Sequence, residues 1–261
     1  MKLTMLGTGH AMVRECYNTC FVLQEEKQCF LTDTGGGREI LFRLSDAGID
    51  LRAITDIFIS HRHLDHITGM LWLMRMFSNQ FMRQGRADEV RIYGHAGVCG
   101  ILQEMRTLIF PNFTDERCRI ISVGDGETVH ILNHPVTFFD LHSTKAEQYG
   151  WTMQFDEKKL TFLGDEGFHE ENMQYAENST WLMHEAFCLE SESDRYHPHL
   201  IAHSTVKDAC ENAEHLHVKN LILFHTEDRH LQERKTLYAQ EGKEYFSGQL
   251  MIPDDLESIV L

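Results

Sequence analysis

The chain has 261 residues, of which 42% are hydrophobic, and its 40 acidic and 24 basic residues give a formal charge of −16. It contains no apolar run near the ~18 residues that span a bilayer, and its first residues, MKLTMLGTGH, do not resemble a signal peptide, so we expect a soluble, cytoplasmic protein with no membrane partner. The acidic charge argues against a broad groove that follows a nucleic-acid backbone, because such a surface repels phosphates.

The first half of the chain predicts strands, followed by an alternation of strands and helices. Short β-type runs read KLTML, CFVLQ and QCFLT, and the last of them ends in a glycine-rich turn. REILFRLSDAG has helical spacing and ends at Gly48. The strand DIFIS leads into the polar segment HRHLDH, and the methionine-rich run ITGMLWLMRMFSNQFMRQ predicts a largely buried helix. EVRIYGH predicts a strand and GILQEMRTLI a helix.

The second half begins with a β-rich stretch. CRIISV, TVHIL, VTFFDLH, YGWTMQF and LTFLGD predict strands, and alternation returns with the strand STWLMHEAF, the helix STVKDACENAEHLH and the strand NLILFH. No repeat or linker divides the sequence, which favours one domain over residues 1–261. Strands followed by helices in each half predict an α/β protein with two sheets packed face to face and helices outside.

Histidines and carboxylates follow five of these predicted strands. The carboxyl ends of strands in layered α/β proteins are the places where loops converge on one crevice. A common site is therefore expected for the residues that follow the five strands, namely His61, His63, Asp65, His66, His142, Asp165, His184, Glu185 and His225.

A pair of metal ions explains this convergence. Imidazole nitrogens and carboxylate oxygens are the ligands of zinc, iron and manganese. His61 and His63 point the same way in an extended segment and can share one ion, whereas Asp65 and His66 follow the turn and can serve a second. Asp165 can provide the anionic bridge. An isolated HxH pair is usually a surface feature, but HRHLDH stands directly behind a buried strand, where coordination offsets the cost of burying such groups.

The seven cysteines predict reduced thiols. Their number is odd and no secretion signal accompanies them, so a disulfide framework is not expected. The sequence leaves open whether Cys16 and Cys20 bind a structural metal.

The motifs resemble a known family. HRHLDH is similar to the HxHxDH signature of the metallo-β-lactamase superfamily of dinuclear metal hydrolases. The succession LTMLGTG, FLTDTGGG, HST with YGW, LTFLGD, HEAF, AHST and LILFHTEDRH resembles the ribonuclease Z-like branch over nearly the whole chain. This resemblance implies a four-layer αββα sandwich with the metals at one edge of the two sheets.

The resemblance also implies roles for individual residues. One divalent ion is held by His61, His63 and His142, the other by Asp65, His66 and His225, and Asp165 bridges them. Asp65, Glu185 and His203 are the implied catalytic residues, with His203 donating a proton to the leaving oxygen and Glu185 orienting it. Zinc is the expected metal, although such ligands also accept manganese or iron.

A metal-dependent phosphodiesterase acting on a small phosphodiester or short nucleotide is the function that we expect. Ribonuclease Z carries a long arm that grips transfer RNA between the third-histidine motif and the bridging aspartate, but only 22 residues separate His142 from Asp165. Structured transfer RNA is therefore expected to be a poor substrate.

Three other functions remain open at this stage. They are genuine ribonuclease Z, which cleaves transfer RNA at its 3′ end, a lactonase or thioesterase, and a di-iron redox protein. The redox form replaces the second motif histidine, here His63, by a carboxylate, which disfavours it. A homodimer is also open, with the methionine-rich helix at 70–82 either in the interface or in the core.

Overall fold

The computed structural model of the chain describes residues 1–86 and 88–261. These residues group into two compact units. Unit 1 consists of Met1–Gly7, Tyr17–Gly124 and Asp255–Leu261, and unit 2 consists of Thr8–Cys16 and Asp125–Asp254. The single domain over residues 1–261 stays a prediction.

Strands and helices alternate much as the sequence predicts. In the described residues the strands are β1 (Lys2–Gly7), β2 (Cys20–Glu25), β3 (Gln28–Thr32), β4 (Ile54–Phe58), β5 (Val90–Gly94), β6 (Cys118–Ser122), β7 (Thr128–Ile131), β8 (His134–Asp140), β9 (Tyr149–Phe155), β10 (Lys158–Phe162), β11 (Trp181–Glu185), β12 (Asn220–Phe224), β13 (Gln249–Met251) and β14 (Ser258–Val260). The α-helices there are α1 (Glu39–Asp46), α2 (Leu64–Ile67), α3 (Gly69–Arg83), α4 (Ala96–Ile109), α5 (Met173–Ala176), α6 (Ser193–Tyr196), α7 (Val206–His215) and α8 (Arg234–Gly242). Every predicted strand and helix is present, which confirms the α/β class.

Unit 1 is built on one mixed sheet. Its strand order is β14-β1-β2-β3-β4-β5-β6, antiparallel from β14 to β3 and parallel from β3 to β6. The helices α1, α3 and α4 contribute buried apolar side chains such as Ile40, Met74 and Leu102 to a core that also contains Ile57 and Ile92 from the strands. Each such side chain contributes about 1.5–3 kcal/mol when it is removed from water.

The parallel strands of unit 1 place polar loops next to one another. Asp33 follows β3 and Ser60 follows β4, and these strands are hydrogen-bonded neighbours. The main-chain N–H of Gly69, the first residue of α3, donates to the carbonyl of Gly35 at 3.0 Å. A Cβ atom at Gly69 would clash with the carbonyl oxygen of Thr34, so only glycine lets the segment after β4 close on the loop after β3.

Unit 2 is built on a second mixed sheet. Its order is β13-β12-β11-β10-β9-β8-β7, antiparallel from β7 to β10 and parallel from β10 to β13. Helix α7 begins with a capping box, in which Thr205 Oγ1 accepts from the Asp208 N–H and the Asp208 carboxylate accepts from the Thr205 N–H. Caps of this kind stabilise a helix by about 1 kcal/mol. Val206 and Cys210 of this helix are buried in a core that includes Leu221 of β12.

Membrane spans and disulfides are both absent from the described residues. Within residues 1–86 and 88–261, no helix combines the length and the apolar composition that crossing a bilayer demands. All seven cysteines belong to this part of the chain and are free thiols. Burial raises the pKa of several of them, to about 12 for Cys210, so these thiols stay protonated at neutral pH.

Candidate functional site

The first group of metal-type donors lies in unit 1, directly after β4. His63 is extended, with φ −65° and ψ 150°, and the chain then turns into the short helix α2, which carries Asp65 and His66. His61, Asp65 and His66 are buried, whereas His63 is half-buried. The ring centroid of His61 lies 4.4 Å from that of His63 and 4.2 Å from that of His66. The predicted extended segment and turn therefore bring the three imidazoles of HRHLDH together.

Asp33 and Ser60 hold these imidazoles in place, although the sequence assigned no role to either residue. The Asp33 carboxylate accepts from the Ser60 N–H and the Ser60 hydroxyl, each at 2.8 Å, and lies 2.7 Å from Nδ1 of His66. Ser60 Oγ is in turn 3.0 Å from Nδ1 of His61. Oxygen partners at Nδ1 of a histidine favour a lone pair on Nε2, the arrangement that orients metal-binding histidines. Asp33 stands in FLTDTGGG, one of the motifs that carry the resemblance.

The second group of donors lies in unit 2, at the carboxyl ends of three adjacent parallel strands. Asp165 follows β10, Glu185 ends β11 and His225 follows β12. Nε2 of His225 lies 3.5 Å from Oδ2 of Asp165, and Gln148 donates to the other oxygen of that carboxylate. Side-chain donor atoms of Asp165, His203 and His225 all lie within 4.8 Å of one another. His225 has φ +57°, a backbone conformation that costs about 1–3 kcal/mol and tends to occur at functional sites.

His203 and Glu185 form a pair beside this group. Nδ1 of His203 lies 3.5 Å from Oε2 of Glu185, and the other carboxylate oxygen accepts from the Ser204 N–H. Glu185 is fully buried, and the Phe187 ring stacks on His203 with centroids 5.1 Å apart. Burial lowers the pKa of His203, but the hydrogen bond and charge of Glu185 raise it, and the net pKa is above the ordinary histidine value. The pair is arranged to hold a proton on the imidazole.

Two other histidines at strand ends lie apart from these donors. The side chain of His142 is 44% exposed, and its Nδ1 lies 3.9 Å from Oδ2 of Asp140. Like His225 it has φ +57°, but among the described residues of unit 2 it does not belong to the donor group of Asp165. His184 is buried and bonded to the Glu185 carbonyl and the Asn212 amide, which indicates a structural role.

The loop after β8 adds residues that the sequence did not single out. Lys145 Nζ donates to the main-chain oxygen of Asp165 at 3.0 Å and lies 3.5 Å from Nε2 of His203. Ser143 donates to the Glu166 carboxylate at 2.6 Å. Lys145 and Gln148 stand between HST and YGW, two of the family-like motifs, and that position was the available signal for both residues.

The donor chemistry of both units suits divalent metal ions. Buried imidazoles and carboxylates such as His61, Asp65, Asp165 and His225 are costly unless they are paired or coordinate a metal. Nitrogen and oxygen donors of this kind bind zinc, manganese and iron. The residues present therefore fit the metals that the sequence predicts.

A family profile described as "Anti-Pycsar protein Apyc1" matches residues 1–246 of the chain. This match takes in most of the sequence, and the chain belongs to the Anti-Pycsar protein Apyc1 family.

Individual relatives and solved structures are also similar to the chain over nearly its whole length. A protein named Ribonuclease Z from Enterococcus faecalis is 25% identical over 308 aligned positions, which take in 97% of this chain and 96% of the relative. The metallo-β-lactamase fold protein YhfI from Bacillus subtilis superposes with a TM-score of 0.79 at 18% identity and covers 99% of this chain and 98% of its own. Zn²⁺-bound PqqB from Methylobacterium extorquens superposes with a TM-score of 0.77 at 14% identity, over the whole of both chains.

These comparisons confirm three predictions. The chain has the metallo-β-lactamase fold, its sequence resembles ribonuclease Z over nearly its whole length, and it is a hydrolase. The buried imidazoles and carboxylates of the described residues are of the types that hold divalent metal, as the sequence predicts.

Proposed function

We propose that the chain is a metal-dependent phosphodiesterase that hydrolyses a small phosphodiester, such as a cyclic nucleotide or a short nucleotide ester. The observation that carries this proposal is the His203–Glu185 pair, which stands beside the donor atoms of Asp165 and His225. Hydrolysis of a phosphodiester needs an acid for the departing oxygen, and a protonated imidazole next to metal-type donors is suited to that step.

The metals are part of the proposal. We assign about two ions, with zinc first and manganese or iron also compatible, to the donors of the two units. The proposed ligands are His61, His63, His142, Asp65, His66, His225 and the bridging Asp165. When bound, such ions supply hydroxide near neutral pH and neutralise charge that develops on phosphoryl oxygens.

The protein's own residues would then handle the proton. Glu185 faces Nδ1 of His203, so Nε2 is the atom that presents a proton to the leaving oxygen. The negative charge of Glu185 stabilises the imidazolium, and its bond from the Ser204 N–H keeps the carboxylate oriented. Asp65 is the third proposed catalytic residue, and Asp33 holds the neighbouring His66 in place.

The connection between β8 and β10 supports a small substrate. Between His142 and Asp165 the chain forms only a short loop, β9, a tight turn and β10. An arm that grips RNA has no place in this interval. The alignment with the Enterococcus relative extends over 308 positions, whereas this chain has 261 residues, so the relative carries segments that are lacking here. With a charge of −16, long-range attraction of RNA is also weak. Genuine ribonuclease Z activity is therefore not favoured.

The family name adds one element to the proposal. It describes a protein directed against Pycsar, and we extend that role to this chain. The cytoplasmic location and the homodimer stay predictions. Helix α3 buries Met70 and Met74 in unit 1 but exposes Trp72 and Met82, so one of its faces is available to a partner.

The decisive experiment combines metal analysis with a hydrolysis screen. Purified enzyme should contain about two divalent ions per chain and should hydrolyse bis(p-nitrophenyl) phosphate and cyclic nucleotides, with precursor transfer RNA cleaved poorly at physiological salt. Hydrolysis of lactones or thioesters without any phosphodiester would contradict the proposal. Efficient 3′ cleavage of precursor transfer RNA would restore ribonuclease Z, and iron with oxygen reduction would indicate the redox form.

A further inference from the structure

Lys145 is a partly buried lysine of unit 2 that lies next to Asp165 and His203. Its side chain is 19% exposed, and Nζ lies 3.0 Å from the main-chain oxygen of Asp165 and 3.5 Å from Nε2 of His203. Most lysines in proteins extend into solvent, where the side chain keeps its conformational freedom. Here the ammonium is held beside the atom of His203 that we assign to proton donation.

The hydrogen bonds around Lys145 leave its ammonium with donor capacity. An ammonium group has three N–H donors, and the Asp165 main-chain oxygen takes one of them. The nearby carboxylate oxygens are too far for a hydrogen bond, at 3.8 Å for Glu166 and 4.0 Å for Asp165. Glu166 is instead bonded to Ser143 at 2.6 Å and approached by His169 at 3.5 Å. The two carboxylates attract the Lys145 ammonium without taking up all its N–H donors.

The contact between Lys145 and His203 is also informative. The two nitrogen atoms are 3.5 Å apart, which is long for a hydrogen bond, so this contact does not hold the Lys145 ammonium strongly. A phosphoryl oxygen that approaches Nε2 of His203 would therefore also lie within reach of the Lys145 ammonium. Charge-assisted bonds to phosphate are about twice as strong as neutral ones.

We propose that Lys145 binds a phosphoryl oxygen of the substrate and of the phosphomonoester product, next to the leaving oxygen that faces His203. This inference rests on the proposed phosphodiesterase function and names a phosphate-binding residue that the motifs do not supply. The protein's charge of −16 opposes anions, so a fixed local cation matters more here than in a neutral protein. Because the product is a dianion and the diester a monoanion, Lys145 should contribute more to product binding than to substrate binding.

The test compares Lys145→Gln and Lys145→Arg with the control Lys243→Gln, a substitution of an exposed lysine in the same unit. The inhibition constant of p-nitrophenyl phosphate, used as the monoester probe, is measured against bis(p-nitrophenyl) phosphate hydrolysis, and the binding of the same monoester is measured by calorimetry. Metal content and thermal unfolding are recorded for each variant. Lys145→Gln should weaken monoester binding by ~10–100-fold, and Lys145→Arg should restore most of it, whereas Lys243→Gln should behave as wild type.

Each failure has a distinct signature. Unchanged monoester binding in a folded, metal-loaded Lys145→Gln protein would overturn the inference and leave the phosphodiesterase proposal standing. If Lys145→Gln loses its metals or does not fold, Lys145→Arg decides, since it keeps the charge. If Lys145→Arg binds the monoester as weakly as the metal-free wild type does, Lys145 only holds Asp165 in place and does not bind phosphate. A wild type that binds the monoester but hydrolyses no diester would contradict the proposed function instead.

Discussion

The donor groups of the two units are built in opposite ways. In unit 1 the donors stand within one short segment, from His61 to His66, and a single carboxylate, Asp33, holds both Ser60 and His66. In unit 2 the donors arrive separately at the ends of β10, β11 and β12, and each is held by its own neighbours. Because the donors of the first group stand in one short segment and share Asp33, a change at one of them should affect the others. The positions of the second group depend on the register of the sheet. Charged side chains, Lys145 and Glu185, lie next to this group.

The largest effect is expected at Asp165, which belongs to the donor group of unit 2 and is the proposed ligand of both ions. Asp165→Ala should lose both ions or retain one weakly, and its diesterase activity should fall further than the ~10²–10⁴-fold that a general acid contributes. Metal content by mass spectrometry and kcat/KM on bis(p-nitrophenyl) phosphate provide the measurement. Asp194→Ala, at an exposed position of unit 2, is the control. An active Asp165→Ala enzyme with its full metal content would rule out the bridging role.

A substitution of His203 should distinguish a role in proton donation from a role in metal binding. A nitrophenolate leaves without a proton, whereas a ribose alkoxide does not, so His203→Ala should lose ~10²–10⁴-fold on a cyclic nucleotide and much less on bis(p-nitrophenyl) phosphate. Rates on both substrates are compared at equal metal content. Equal losses on both would show that His203 binds or positions the phosphate rather than donating a proton, and loss of metal would show that it is a ligand.

Asp33 tests the mutual dependence of the unit 1 donors. Asp33→Asn keeps the size of the side chain but removes the charge that faces Nδ1 of His66, so metal affinity should fall by ~10–100-fold. Competition with a zinc chelator measures the change, and Asp46→Asn, on the exposed side of α1, is the matched control. Affinity equal to that of wild type would mean that the compact segment orients its own histidines without Asp33.

The same contrast explains how far the sequence could be read. HRHLDH is contiguous and follows a buried strand, so His61 to His66 could be predicted as a group, and the strands that deliver Asp165, Glu185 and His225 were clear from their apolar runs. The three-residue edge strands β13 and β14 carry no periodic signal, and α8 was also missed. Lys145 and Gln148 could not be assigned, because their roles arise only when β9 and β10 fold back on the loop that contains them.

The smallest effect, a shift of a pH profile, is expected at Glu185. Burial lowers the pKa of His203, the hydrogen bond and charge of Glu185 raise it, and the net pKa lies above the ordinary value of 6.5. Glu185→Gln keeps an oxygen that can accept from the Ser204 N–H but removes the charge, so the pKa of His203 should fall. Since a general acid works only while it is protonated, the alkaline limb of kcat/KM should move to lower pH, with little change at acidic pH.

The raised pKa of His203 should also make the free energy of unfolding depend on pH. A histidine whose pKa is raised on folding contributes stabilisation that is fully present below its unfolded pKa and is lost as pH rises through the folded pKa. In Glu185→Gln that pH-dependent part of the unfolding free energy should shrink, whereas Glu157→Gln, at an exposed position of unit 2, should leave both profiles unchanged. A uniform loss of rate at every pH, with the alkaline limb in place, would mean that Glu185 positions His203 without setting its charge. Glu185 would then act by holding the imidazole ring in place and not through its charge.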